Sequence, residues 1–151
     1  MRLTRYSDFS LRVLLYLAAR GDRLCSISEM ASAYGISHNH LMKVLHDLGK
    51  AGYVSAARGR MGGFRLARPA SEIQVGALLR HTEDDFDLVD CPGCALSAGC
   101  GVSPVLDEAM VAFFAVLDGY TLADIIERRH GFHRLILSLA PADRGSAAGL
   151  S

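Results

Sequence analysis

A chain of 151 residues, half of them hydrophobic, is long enough to bury one domain core, which excludes wholesale disorder. The formal net charge of zero hides a polarity: residues 1–80 carry 12 Lys and Arg against 5 Asp and Glu, and residues 81–151 carry 4 against 11. Arg2, Arg5, Asp8 and Arg12 interrupt any secretory apolar run, and there is no stretch of about 18 uncharged apolar residues to span a membrane, so a reducing, cytoplasmic setting is expected.

A basic half joined to an acidic one points to a nucleic-acid-binding segment coupled to something else. Residues 6–20 open the basic half as a helix, with Phe9, Val13, Leu14, Tyr16 and Leu17 at three- and four-residue steps. Ser7 is the expected N-cap and Gly21 the stop. Asp8 falls in the first turn, where the helix dipole favours a carboxylate. Ser26-Ile27-Ser28-Glu29 has the spacing of a capping box and starts a short helix through Tyr34. Gly35-Ile36-Ser37 then turns the chain into a second helix, from His38 to about Ala51, that buries Leu41, Val44, Leu45 and Leu48. Two helices joined by so short a glycine-containing turn make a helix-turn-helix.

Ser37, His38, Asn39 and His40 stand at the start of that second helix, with Lys43 one turn on. They supply donors for base edges and phosphates where such a helix enters a major groove. Residues 52–56 and 64–67 alternate like strands around Arg58-Gly59-Arg60-Met61-Gly62-Gly63, a hairpin with a basic, glycine-rich tip. A helix-turn-helix followed at once by a basic hairpin is a winged helix. Its wing residues Arg58, Arg60, Gly62 and Gly63 complete the candidate DNA-binding set. No P-loop Lys-Ser/Thr pair is present to make the glycines a nucleotide cradle.

After Pro69 a helix is expected over residues 72–82, followed by an acidic run, residues 83–90. The run leads into Cys91-Pro92-Gly93-Cys94-Ala95-Leu96-Ser97-Ala98-Gly99-Cys100, a C-x2-C-x5-C pattern. Three thiols cannot all pair as internal disulfides, and soft thiolates suit an iron–sulfur cluster or zinc. Cys91, Cys94 and Cys100 are therefore candidate metal ligands that leave room for one further donor.

Ser103 and Pro104 suit the opening of a long helix through about Leu117. Its broad apolar face, from Val105 through Phe113 and Phe114, predicts a partner helix from a second copy. A short helix through Arg129 is expected next, then a tail that is small and polar from Pro141. Cys25 reads as a packing residue, and His130 and His133 as helix-end or surface residues. The fold class is thus mainly α with a small β-hairpin wing, a winged helix-turn-helix plus a long dimerisation helix. Its expected segments are the DNA-binding domain at 1–82, the cysteine loop at 83–102, the dimerisation helix and short following helix at 103–130, and the tail at 131–151. No paired carboxylates or nucleophile–base arrangement suggests an enzyme.

Residues 3–12, residues 35–44 and the wing at 58–63 together resemble the Rrf-type iron–sulfur repressors. Asn39-His40-Leu41, Gly52-Tyr53-Val54 and residues 117–124 are similar to the nitric-oxide-sensing members of that family. The resemblance implies a homodimeric transcriptional repressor on double-stranded operator DNA. It would hold a [4Fe–4S] cluster, or a [2Fe–2S] cluster as second choice, and would release the operator when nitric oxide nitrosylates that cluster. It further implies Cys91, Cys94 and Cys100 as thiolate ligands and Asp8, from the partner subunit, as the oxygen ligand. The two-residue first gap between cysteines is narrower than the family's usual one, so the chain departs from the pattern where fourth ligand and cluster type are decided. A sensor of iron–sulfur or redox status and a zinc-stapled DNA-binding or interaction module are the alternatives.

Overall fold

The computed structural model describes residues 2–128 and 131–139. Arg129, His130 and the polar end of the expected tail lie outside them. Among the described residues, seven α-helices and one hairpin follow in the order α1 (Arg5–Arg20), α2 (Ile27–Tyr34), α3 (His38–Lys50), β1 (Val54–Ala57), β2 (Gly63–Leu66), α4 (Val75–Thr82), α5 (Val102–Asp118), α6 (Leu122–Glu127) and α7 (Phe132–Ser138).

Helix α1 is the centre of the fold. Its Val13, Leu14, Tyr16 and Leu17 are wholly buried and meet Leu41, Leu45 and Leu48 of α3 and Met30 of α2 in the main core. Each such leucine contributes roughly 1.5–3 kcal/mol by leaving water. The buried Tyr16 ring is tolerated because its hydroxyl donates to Glu29 Oε1 at 2.6 Å and accepts from Arg20 Nη2 at 3.1 Å. Glu29 is thereby turned toward Tyr16 and Arg23, while the Ser26 hydroxyl still accepts from the Glu29 N–H. The cap of α1 is Thr4, one turn earlier than Ser7. Ser7 is buried and donates its hydroxyl to Thr82 Oγ1 at 2.7 Å, tying the start of α1 to the end of α4.

Strands β1 and β2 pair antiparallel, with Val54 opposite Leu66 and Ala57 opposite Gly63. Cys25 adds a rung on the other edge of β2, since its N–H donates to the Phe64 carbonyl at 2.9 Å and its carbonyl accepts from the Phe64 N–H at 2.8 Å. The wing is therefore stitched to the connection between α1 and α2.

The helix expected over 72–82 is two pieces, a 3-10 turn Ala70–Glu72 and α4. Ile73 is extended because its carbonyl accepts from the Leu122 N–H at 3.0 Å, and the Val75 N–H donates to the Tyr120 carbonyl at 2.9 Å. That pairing clasps α4 to the chain leaving α5. Gly76 lets the clasp close, because a Cβ there would collide with the Asp118 carboxylate. Helix α5 starts at Val102 after Gly101, so Ser103 and Pro104 lie inside its first turn. Thr121 and Asp124 form a reciprocal capping box on α6.

The segment expected as tail holds α7. Phe132 and Ile136, four residues apart, pack into the main core, as does Leu122 of α6. His133 Nε2 lies 2.8 Å from the Ala19 carbonyl oxygen. So short a helix has little periodicity to read and owes its existence to packing on α1.

Candidate nucleic-acid interface and cysteine loop

Ser37 caps α3 by accepting from the His40 N–H at 3.3 Å, and its Oγ lies 2.9 Å from His40 Nδ1. The His40 ring also leans on Phe9 at 6.1 Å between centroids, so this histidine helps to fix the helix start. His38, Asn39 and Lys43 are exposed on the same helix. Buried Leu41, Val44, Leu45 and Leu48 hold the opposite face down, which leaves the polar face outward.

Arg58 and Arg60 are exposed at the wing tip, around Gly59 with φ +112°. Gly62 and Gly63 have packing reasons of their own. A Cβ on Gly62 would collide with the Ala57 carbonyl, and one on Gly63 would sit 2.8 Å from the Cys25 carbonyl oxygen. The tight turn requires Gly62 and the Cys25 rung requires Gly63.

The cysteine loop connects α4 to α5 as a run of turns. Cys94 N–H donates to the Cys91 carbonyl, Ser97 N–H to the Cys94 carbonyl and Gly99 N–H to the Leu96 carbonyl, each at 3.1 Å. Gly93 takes φ +88° between the first two thiols. Cys94 is exposed and Cys91 and Cys100 are half-buried, all three as free thiols. Among the described residues, no three His, Cys, Asp or Glu side chains are gathered closely enough to hold a metal ion. The donor set itself suits an iron–sulfur cluster, with three accessible thiols on a loop free of disulfides. Asp8 stands in the first turn of α1, half-exposed, with Arg12 Nε at 3.0 Å. Cys91 also borders a cavity of about 640 Å³ between the loop and α5, beside Phe86 and Arg80. Arg80 grips Asp118 through both oxygens at 2.6 and 2.8 Å and lies 4.1 Å from the Phe114 ring centroid. Two such charge-assisted bonds on a planar guanidinium fix the angle between α4 and α5.

The start of this loop and the end of α4 are tied to the DNA-binding body by residues with no sequence signal. Glu83 Oε1 accepts from the Thr4 N–H at 2.7 Å and from its hydroxyl at 3.1 Å, at the mouth of α1. Asp47 of α3 accepts from the Tyr6 hydroxyl of α1 and lies 2.8 Å from His81 Nε2 of α4. The Tyr6 hydroxyl foremost, then His81, holds the Asp47 carboxyl below the usual carboxylate range. Burial and this carboxylate push the Tyr6 phenol upward. A depressed carboxylate contributes stability above its unfolded pKa and loses it as pH falls through the folded one. Tyr6→Phe is therefore expected to cost about 1 kcal/mol at pH 7, with the gap to the unchanged protein narrowing below about pH 4. Urea unfolding across pH 3–7 measures it, and a gap that stayed constant would show that Asp47 is not the partner that matters.

A helix-turn-helix with a basic wing, joined by a cysteine loop to a long apolar helix, defines a DNA-binding transcription regulator of the winged-helix class. Residues 3–128 match the Rrf2 family, described as iron-dependent transcriptional regulators. The chain is similar to the HTH-type transcriptional regulator NsrR of Bacillus licheniformis, 48% identical over 142 residues that cover 90% of this chain and 99% of that one. It is 46% identical to the NsrR of Bacillus subtilis, over 90% of this chain and 97% of that one. Among solved structures, T. potens IscR superposes with a TM-score of 0.70 at 26% identity, covering 85% of this chain and 88% of that one. Staphylococcus aureus CymR superposes at 0.71 and 25% identity, covering 84% and 99%. The chain belongs to the Rrf2 family, whose members are DNA-binding transcriptional regulators and not enzymes. No helix among the described residues is long and apolar enough to cross a membrane.

Proposed function

We propose that this protein is a cytoplasmic repressor that binds operator DNA as a homodimer and releases it in response to nitric oxide. Cys91, Cys94, Cys100 and the partner subunit's Asp8 would hold its iron–sulfur cluster, [4Fe–4S] as first choice and [2Fe–2S] as second. The observation that carries the reading is the splice of the cysteine loop into the helices that position α3. Glu83, at the start of the loop, bonds Thr4 at the mouth of the helix that carries Asp8. Two residues earlier, His81 meets Asp47 of α3. A change at the start of the loop thus bears on α1 through Glu83 and on α3 through the adjoining end of α4.

Bound there, a cluster supplies iron that nitric oxide can ligate. The chain's own part is to hold the two recognition helices at a half-site spacing and to lose that spacing when the loop lets go. Ser37, His38, Asn39, His40 and Lys43 would face the major groove, with Arg58 and Arg60 on phosphates or in the minor groove and Gly62 and Gly63 shaping the wing. A second copy is supported by α5, where Val102, Val105 and Val116 fall on one face and are 57–64% exposed. A row of bare valines on one helix suits a symmetric partner. The NsrR relatives favour nitric oxide as the signal. The family's description as iron-dependent favours a sensor of iron–sulfur status as the second reading.

Anaerobic purification with a visible spectrum and iron and sulfide counts, followed by nitric-oxide titration during operator binding, tests the proposal. A brown protein that loses its cluster absorbance and its operator in parallel supports it. A colourless zinc protein, or operator binding indifferent to nitric oxide, sinks it. Asp8→Ala is expected to keep the fold and shorten cluster lifetime by at least the roughly 10-fold that even an outer partner of a metal site is worth. An unchanged lifetime by absorbance decay would remove Asp8 from the ligand set.

A further inference from the structure

Met42 is a large apolar side chain on the otherwise polar outward face of α3. It is 48% exposed in the middle of the outward face of α3. His38 and His46 stand four residues to either side, and Gly49 follows on the same stripe. Lys43 and Lys50 are exposed along one flank. The one acidic residue of α3, Asp47, is turned away and engaged by Tyr6 and His81. Beside Met42 an apolar groove of about 520 Å³ runs between α3 and the hairpin, past Leu45, Gly49, Val54 and Phe64.

An apolar centre within a rim of lysines and histidines does not suit an apolar protein partner, which would have to strand those charges. It does suit a polyanion that carries apolar groups of its own. In the major groove one base presents such a group, the 5-methyl of thymine, and the phosphates on either side answer the lysines. A thioether on an unbranched chain is soft and long enough to follow a methyl group across a groove floor. We infer that Met42 is a specificity-determining residue that reads the 5-methyl group of a thymine in each operator half-site. The inference rests on the DNA-binding reading above and adds a base to it. The lysines answer phosphates present in any sequence, whereas Met42 distinguishes thymine from cytosine by a group that makes no hydrogen bond.

The test starts from duplexes that the anaerobically purified full-length protein selects from a randomised pool. Thymines in a selected duplex are replaced one at a time by deoxyuridine, which deletes the methyl group and leaves every hydrogen-bonding atom in place. Burial of a methyl group is worth about a fourfold change in affinity. The expected result is one thymine per half-site whose replacement weakens binding roughly three- to tenfold. Met42→Ala should weaken binding to the thymine duplex by a similar factor and be indifferent to that same replacement, while Met42→Leu should restore most of the sensitivity. Because Met42 is exposed, the alanine variant tests contact and not folding. Indifference of the unchanged protein to every thymine replacement, or undiminished sensitivity in Met42→Ala, overturns the inference and leaves the DNA-binding reading standing. Failure to select any duplex overturns both.

Discussion

Serine in place of Cys91, Cys94 or Cys100, one at a time, is expected to give a folded protein that retains little iron and no longer tells its operator from other DNA. The three thiols are exposed or half-buried on a loop of turns, outside the cluster of buried leucines that holds the body together. Their removal should change unfolding free energy by no more than about 0.5 kcal/mol. Operator affinity, by contrast, should fall toward the non-specific level, a loss on the order of 10³-fold if specific recognition depends on the loop. Cys25→Ser should do the reverse. Cys25 is wholly buried and its thiol is pushed up chiefly by that burial, so a serine hydroxyl there costs stability while iron content stays intact. Iron counts, urea midpoints and operator titrations on the four variants separate the two behaviours. A Cys94→Ser protein with full iron and full operator affinity would end the ligand assignment.

The helix-turn-helix and the wing were legible because their signals are local. Ser26 and Ser37 cap where their spacing to the following apolar residues says they should, and Leu41, Val44, Leu45 and Leu48 fall on one face of α3. The cysteine pattern is legible for the same reason, since ligand chemistry shows in residue type and spacing. What stayed hidden is held by long-range contacts. Ser7 looks like a cap in sequence, but Thr82, 75 residues away, draws it into a buried bond and leaves Thr4 to cap α1. Glu72 and Ile73 read as helix until the chain leaving α5 offers Ile73 a pairing partner. Tyr6, Asp47 and His81 come from three helices, and no periodicity marks them. Helix α7 is invisible because only the floor of α1 makes Phe132 and Ile136 informative. Met42 was overlooked for the opposite reason, since it lies off the stripe of Leu41, Val44, Leu45 and Leu48 and an apolar side chain among polar ones carries no site signal in sequence.

Gly63→Val is expected to destabilise the protein by roughly 3 kcal/mol, at the upper end of what overpacking costs. The reason lies in what surrounds the missing side chain. A Cβ at position 63 would stand 2.8 Å from the carbonyl oxygen, 3.0 Å from the carbonyl carbon and 3.2 Å from the nitrogen of Cys25. All three are backbone atoms, so no rotamer change relieves the clash. Relief requires β2 to part from Cys25, with loss of the two hydrogen bonds that dock the wing. Gly59 makes a useful contrast. It faces open space but has φ +112°, so alanine there should cost only the backbone penalty of roughly 1 kcal/mol. Arg58→Ala and Arg60→Ala, at exposed positions, should leave stability within about 0.5 kcal/mol and reduce the salt dependence of operator binding by about one phosphate contact each. Urea unfolding and operator titrations from low to high salt therefore divide the wing into a glycine that seats it and arginines that use it. Gly63→Val with unchanged stability would mean that the Cys25 rung is dispensable, and the wing would then need no anchor beyond its own two strands.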